Sequence, residues 1–180
     1  MKTTLSLSAL ILAITTFSSL NLKAQATDQS ANVAVNIILT DAISIVLGSA
    51  PQTVDFSYPN ALAYSVRQDV LMADHFTVIS NKGYTIKVTG AGNFVGPAAA
   101  TIDLNTVSVN VAATTPITNV SAAAVVPLVV APGADIITGT ATTSRSYNIN
   151  YAIPLPSVAN ILGKAAGTYT TNVFYTVTQL

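Results

Sequence analysis

The sequence predicts an all-β protein, an antiparallel β-sandwich of the immunoglobulin-like type with about seven to nine strands. Apolar and polar residues alternate in short runs, which is the two-residue period of half-buried strands. Turn signals rich in Gly, Pro and Asn separate these runs roughly every ten residues, a spacing typical of sandwiches. Hydrophobic residues make up 51% of the 180 residues, enough for a sizeable core. A closed barrel of the lipocalin type is the structural alternative.

The first 26 residues predict a cleaved secretory signal peptide. Lys2 supplies the positive start, Leu5 to Phe17 the apolar region, and Ala24-Gln25-Ala26 a small-x-small cleavage site. A permanent membrane anchor is the weaker alternative, because the apolar run contains Ser and Thr and is shorter than the roughly 20 residues that a span needs. We therefore expect residues 27–180 to form one exported domain, extracellular or on the cell surface, with no membrane insertion of the mature chain.

Charge and cysteine content narrow the function classes. Without Lys2 and Lys23, five basic residues face seven Asp, and the chain has no Glu and no Cys. Nucleic-acid binding needs clustered Lys and Arg, so a nucleic-acid partner is excluded. Charged residues are 8% of the chain, against about 25% in typical soluble domains. Such a weakly charged surface suits an assembly or a cell exterior.

The longest regular pattern runs from Val33 to Leu47. Its odd positions are apolar except for Asp41, namely Val33, Val35, Ile37, Leu39, Ile43, Ile45 and Leu47. Fifteen residues of strand would extend about 50 Å, whereas ordinary strands run about 17–20 Å. The stretch therefore either breaks near Thr40 and Asp41 into two strands of one sandwich, or its first half completes the sheet of another copy.

The remaining elements follow in order from alternation and turn signals. Residues 54–58 predict a short strand, and residues 61–74 are ambiguous between a helical turn and extended chain. The clearest predicted hairpin joins Phe76, Val78 and Ser80 to Tyr84, Ile86 and Val88 through the turn Asn81-Lys82-Gly83. Pro127 places the run 125–130 at a sheet edge or bulge. Further strands are predicted at 107–111 and 147–153, a polar connection at 114–123, one helical turn at 158–164, and a last strand through Tyr169, Val173, Tyr175 and Val177 that belongs at the centre of a sheet.

No residue pattern predicts a catalytic, cofactor or metal site. His75 is the only histidine and there is no Cys, so the three or four converging ligands of a zinc site are lacking and His75 is interpreted as a loop residue. Ser144 or Ser146 could be combined with His75 in a triad, but no G-x-S-x-G turn supports it. Asp69 and Asp74 share a predicted loop without a calcium-binding run.

Aromatic residues offer one candidate ligand surface. Tyr147, Tyr151, Tyr169 and Tyr175 fall on the apolar faces of their predicted strands and are assigned to the core. Tyr58 and Tyr64 lie in or beside loops. They are therefore the candidates for stacking against a glycan.

Several segments resemble a known group of exported proteins. These are NVAVNIILTDAISIVLG, HFTVISNKGYTIKVTG, YNINYAIP and LGKAAGTYTTNVFYTVTQL. With the signal peptide, they resemble small secreted β-sandwich proteins of Bacteroidota and, more distantly, the group that joins WxL-like surface domains with fimbrial subunits of the spore-coat-U and CFA/I kind. The chain lacks the Trp of WxL proteins and the paired cysteines of many chaperone-usher pilins. The resemblance implies a structural or adhesive subunit and transfers no binding residue.

Two functional hypotheses follow. In the first, the protein is a pilin-like, non-enzymatic subunit that polymerises with other copies or related subunits. Its segment 27–40 is then donated as a strand, with Val33, Val35, Ile37 and Leu39 making the contacts. In the second, it is a self-contained surface module that binds glycan or another surface polymer through Tyr58 and Tyr64. An enzyme is disfavoured because no acid-base or nucleophile set converges.

Overall fold

A computed structural model describes residues 34–49, 52–112 and 120–180. The predicted fold class is confirmed: the chain is mainly β, and every strand ladder within the described residues is antiparallel. The predicted signal peptide and Val33 lie outside these residues. The helices in the same ranges are short 3-10 turns, and none of them is long and apolar enough to cross a membrane.

The strands are numbered in chain order. They are β1 (Ile43–Leu47), β2 (Gln68–Ser80), β3 (Tyr84–Gly90), β4 (Phe94–Val95), β5 (Thr101–Ile102), β6 (Ser108–Val111), β7 (Val120–Ala122), β8 (Val126–Pro127), β9 (Ala134–Gly139), β10 (Thr142–Ile153) and β11 (Val173–Gln179). The 3-10 helices span Ala61–Ser65, Pro97–Ala99, Leu104–Thr106 and Leu155–Asn160. The helical turn expected at 158–164 therefore begins and ends earlier in the chain.

Two main sheets form the sandwich. One has five strands in the order β1-β2-β10-β6-β8, and the other has four in the order β11-β3-β9-β7. Together they contain nine strands, the upper end of the expected range, and β4 and β5 form a separate pair. The long strands β2 and β10 lie side by side in the middle of the first sheet. At β8, Pro127 occupies the edge position that its missing N–H predicts.

The core confirms the alternation read from the sequence. Phe76, Val78, Tyr84, Ile86 and Val88 are all 0% exposed, and the alternate residues 147–153 of β10 are at most 4% exposed. Both sheets contribute these side chains to one cluster. Because a strand places successive side chains on opposite faces, the two-residue period identifies the inward positions directly.

The predicted hairpin is wrong, although both of its strands exist. The strand β2 belongs to the five-stranded sheet and β3 to the four-stranded sheet, so the turn Asn81-Lys82-Gly83 crosses between sheets. A hairpin in one sheet and a crossing between two sheets place the same alternate residues in the core. The alternation alone therefore cannot distinguish them.

The predicted position of the last strand is also wrong. In its sheet β11 pairs with β3 on one side only, so it is an edge strand and not a central one. Its inward residues Val173, Tyr175 and Val177 are half-buried, whereas the inward residues of β3 are fully buried. An edge strand has neighbours on one flank only, which explains this lower coverage.

Two further predictions need correction, and one ambiguous segment is resolved. Residues 53–59 alternate between partly buried and exposed but are not a strand, although Val54, Phe56 and Tyr58 pack against the core. The predicted polar connection 114–123 contains a strand, β7, at its end. Residues 68–74, the second half of the ambiguous segment, belong to β2. Short strands depend on the partners that cover them, and a local pattern does not contain this information.

The long stretch from Val33 to Leu47 divides before Ile43. Its second half is β1, which pairs with β2 from Ile43 opposite Ser80 to Leu47 opposite Phe76. Residues 34–42 form neither a strand nor a helix. By internal contacts the chain separates into two units, residues 1–38 and 39–180. Of the two alternatives, a pair of strands in one sandwich is thus not seen in the described residues.

Candidate functional site

An apolar segment precedes the sandwich. Within it Val35 and Ile37 are each 83% exposed, Ile38 87% and Leu39 84%. Single exposed apolar residues are ordinary on protein surfaces, but a run of them marks a contact site or an aggregation hazard. Three of the four residues predicted to contact a partner, Val35, Ile37 and Leu39, are in this exposed segment. Val33, the fourth, lies outside the described residues.

Two strand edges lie close together on one side of the sandwich. Both β1 and β11 are terminal strands of their sheets, and the two strands approach each other. On the flank away from its partner, neither of them has a ladder within the described residues. Unpaired N–H and C=O groups on such a flank can pair with another extended chain.

The inward side chains of these two strands are poorly covered. Ile43 and Leu47 of β1 align with Ser80 and Phe76 on the core side of β2, yet they are 36% and 57% exposed. The side chains of Val173, Tyr175 and Val177 on β11 are likewise only partly buried against the core. Inward apolar side chains are thus incompletely covered where β1 and β11 approach each other.

Three hydrogen-bonded side chains in the core connect β2 to β11. The Nε2 atom of His75 is 3.0 Å from the Tyr151 hydroxyl oxygen, which is 2.6 Å from the hydroxyl oxygen of Tyr175. His75 is only 4% exposed, and within the described residues its Nδ1 has no hydrogen-bond partner. Burial lowers the pKa of His75, raises that of Tyr151 to about 12, and raises that of Tyr175 well above its ordinary value.

An irregularity in β2 turns His75 inward. Pairing with β10 changes register between Tyr147 opposite Phe76 and Ile149 opposite Met72, so β2 has two additional residues here. Asp74 adopts a φ of 45°, a conformation that Asp tolerates better than most residues, and its N–H donates to the Asn148 side chain at 2.7 Å. The extra residues make both His75 and Phe76 buried. His75 is therefore a core residue and not the predicted loop residue.

The other candidates for chemistry are not brought together. Ser146 is exposed, and its hydroxyl oxygen is 2.8 Å from that of Thr77, whereas His75 is in the core. Asp69 and Asp74 lie in β2 and not in the predicted shared loop. Arg67 holds Asp69 in a two-point ion pair at 2.7 and 2.8 Å, and this hydrogen bonding lowers the pKa of the Asp69 carboxyl. No cluster of three potential metal ligands occurs in residues 34–49, 52–112 and 120–180.

Tyr58 and Tyr64, the candidates for glycan stacking, contact each other. Their ring centroids are 4.7 Å apart with a tilt of 39°. Both side chains are partly buried against the core, and the Tyr58 hydroxyl is buried, which raises its pKa. A flat, exposed aromatic platform is therefore not formed by this pair, and their role in glycan binding stays a prediction.

The arrangement is suited to backbone pairing. An exposed apolar segment and an open strand edge are the two halves of a β-augmentation contact, in which hydrogen bonds give affinity and alternate side chains fill pockets. Sequence reasoning identified the segment but missed the edge, because β11 was placed at the centre of a sheet. The signal that could have indicated an edge is the alternation of Thr and Gln with Val and Tyr at the end of the chain, but a central strand with one solvated face has the same pattern.

Comparison with known proteins adds no family. No protein-family model matches the chain, and no curated protein is significantly similar to it.

Proposed function

We propose that this protein is an exported, non-enzymatic structural or adhesive subunit, pilin-like, that joins other copies of itself or related subunits at the cell surface. The contact is the segment 33–39 of one subunit added as a strand beside β11 of the next. Since the donated segment and the receiving edge are different surfaces, the contact is head-to-tail, and each subunit can receive another to extend a fibre.

The observation that carries the proposal is the exposure of the segment. Val35, Ile37 and Leu39, which share one face of an extended chain, are 83–84% exposed. Removing apolar area from water contributes about 25 cal/mol per Å². Insertion between two sheets would bury these side chains and supply partners for the backbone.

The receiving edge supports the same proposal. Its free flank adjoins β1, and half-exposed apolar side chains of both strands face inward there. A strand added there would pair its backbone with β11 and cover these side chains. The low charge of the chain, 8% of residues, places little repulsion between neighbouring copies.

The test is assembly of the chain that begins at Thr27, measured by sedimentation and electron microscopy, with and without residues 27–39. Polymerisation that disappears with the deletion supports donation. A stable monomer that the deletion does not change would overturn it and favour the self-contained glycan-binding module.

A matched pair of substitutions distinguishes strand donation from non-specific hydrophobic association. Ile37→Asp places a charge on the apolar face that would cover the inward side chains of β11, whereas Asn36→Asp places it on the opposite face of the same segment. Donation predicts that the first variant stays monomeric and that the second assembles nearly as the parent does. Equal effects of both variants would contradict an alternating strand contact.

A further inference from the structure

Asn81, in the turn between β2 and β3, is hydrogen bonded to the chain just before β1. Its Nδ2 donates to the carbonyl oxygen of Thr40 at 2.7 Å, and its Oδ1 accepts from the N–H of Ala42 at 3.0 Å. The backbone N–H of Asn81 donates to the Ala42 carbonyl oxygen at 3.1 Å. One residue thus binds both ends of the tripeptide 40–42.

Two neighbouring side chains complete the attachment. Lys82 forms an ion pair with Asp41, with Nζ and Oδ1 2.6 Å apart. Gln179, the last residue of β11, donates from Nε2 to Asn81 Oδ1 at 2.8 Å. Thr40, Asp41 and Ala42 are therefore each connected to the turn, and the turn is connected to the end of β11.

The attachment ends abruptly at Thr40. Leu39, the preceding residue, is 84% exposed. The predicted strand breaker Asp41 thereby acquires a role, because its carboxylate is the partner of Lys82. A short tripeptide, each residue of which is bonded to the turn, separates the apolar segment from β1.

We propose that Asn81 is a positioning residue for the donated segment: it fastens residues 40–42 to the sandwich and so determines the residue at which the segment becomes free. This inference rests on the proposed function and deepens it. The donated segment is joined to its own sandwich through this tripeptide and to the next subunit by non-covalent pairing, so the attachment of residues 40–42 determines how firmly one subunit is held relative to the next. Without the attachment, residues 40–42 act as a flexible linker.

The first test measures the attachment without assembly. Amide hydrogen exchange is followed in the Ile37→Asp background, with and without Asn81→Ala. The Ala42 amide, which donates to Asn81 Oδ1, is expected to exchange about tenfold faster in the variant, with smaller increases along β1. Asn93→Ala is the matched control, because Asn93 also bridges two partners, Asp103 and the Leu104 N–H, at another loop.

The second test separates positioning from support of the fold. The chain without residues 27–39 is compared with and without Asn81→Ala. Both should bind a synthetic peptide of residues 31–39 within about twofold of each other, because the ladder that holds β11 to β3 does not include Asn81, although the Gln179 contact is lost. Fibres of full-length Asn81→Ala should bend more than those of Asn93→Ala in electron micrographs.

The outcomes distinguish this inference from the proposed function. Exchange at Ala42 equal to that of the Asn93→Ala control, or loss of peptide binding, would overturn the positioning role even if deletion of residues 27–39 abolishes assembly. A different result is faster exchange at Ala42 in Asn81→Ala together with assembly that is unchanged by deletion of residues 27–39. That result would overturn strand donation, and with it the role of Asn81 in a fibre.

Discussion

The side chain of His75 lies edge-on to the ring of Tyr151, with ring centroids 5.7 Å apart and Nε2 3.0 Å from the Tyr151 hydroxyl oxygen. The residues come from the two central strands of the larger sheet, β2 and β10. Tyr175 of β11 contacts the same histidine at 5.4 Å, so the edge strand is connected to the centre of the core. The stability of β11 consequently depends on the packing of this cluster and on the protonation of His75.

Acidification should destabilise the protein through His75. Burial lowers the pKa of His75 in the folded chain, so the unfolded chain binds the extra proton first as the pH falls through about 6.5. The free energy of unfolding should therefore decrease between about pH 7 and pH 5, by no more than about 1.4 kcal/mol per pH unit for one proton. Urea unfolding across this range measures the slope.

The variant His75→Gln is the control for this slope. His75 is the only histidine of the chain, and an Asp carboxyl in a model peptide has a pKa of about 3.9, below this range. The variant should have a nearly flat profile from pH 5 to 7. A slope that persists in the variant would show that another group is responsible.

Two adjacent aromatic residues of β11 should respond oppositely to a charge. Tyr175 packs against Phe76 at a centroid distance of 4.8 Å, whereas Phe174 is 55% exposed on the other face. Tyr175→Asp should cost about 3 kcal/mol or more or prevent folding, because it buries an unpaired charge. Phe174→Asp should cost about 1 kcal/mol or less. Thermal unfolding compares the two, and equal losses would contradict the assigned faces.

Substitution of Gly48 should strain the irregularity in β2. A Cβ atom at Gly48 would lie 1.9 Å from the carbonyl oxygen of Asp74, and the Gly48 N–H donates to the His75 carbonyl oxygen at 2.9 Å. Gly48→Ala must displace backbone, and we expect a loss of about 1–3 kcal/mol in chemical unfolding. At Gly83 a Cβ atom would meet its nearest neighbours at an ordinary 3.5 Å, so Gly83→Ala should be much milder. Similar losses at both glycines would refute the close contact.

The buried tyrosine pair Tyr84 and Tyr147 should behave as one unit. Both side chains are 0% exposed, and their hydroxyl oxygens are 2.5 Å apart across the two sheets. Replacing one by Phe leaves the other hydroxyl short of a buried partner, at a cost of about 1–3 kcal/mol. The double variant Tyr84→Phe, Tyr147→Phe should lose less than the sum of the single losses. Additive losses in urea unfolding would indicate that the hydroxyls are independent.

The sequence predicted the apolar segment of the candidate site but not its receiving edge. The apolar alternation of Val35, Ile37 and Leu39 and the lapse at Asp41 are local features, and with the length of the stretch they left two predictions, a break near Asp41 or a donated first half. The receiving edge could not be identified, since the inward pattern of Val173, Tyr175 and Val177 is the same at the centre and at the edge of a sheet. Asn81 looked like an ordinary turn residue, because its partners lie about 40 and 98 positions away.

The sequence by itself determined the fold class and the inward face of most strands, because the two-residue period follows directly from strand geometry. Only the tertiary structure decided which strands are neighbours: that β2 and β3 lie in different sheets, that β11 is at an edge, and that two extra residues turn His75 into the core. The physical reason is that a side chain is buried equally well by any apolar partner. Pairing and register therefore depend on the whole set of contacts and not on any single segment.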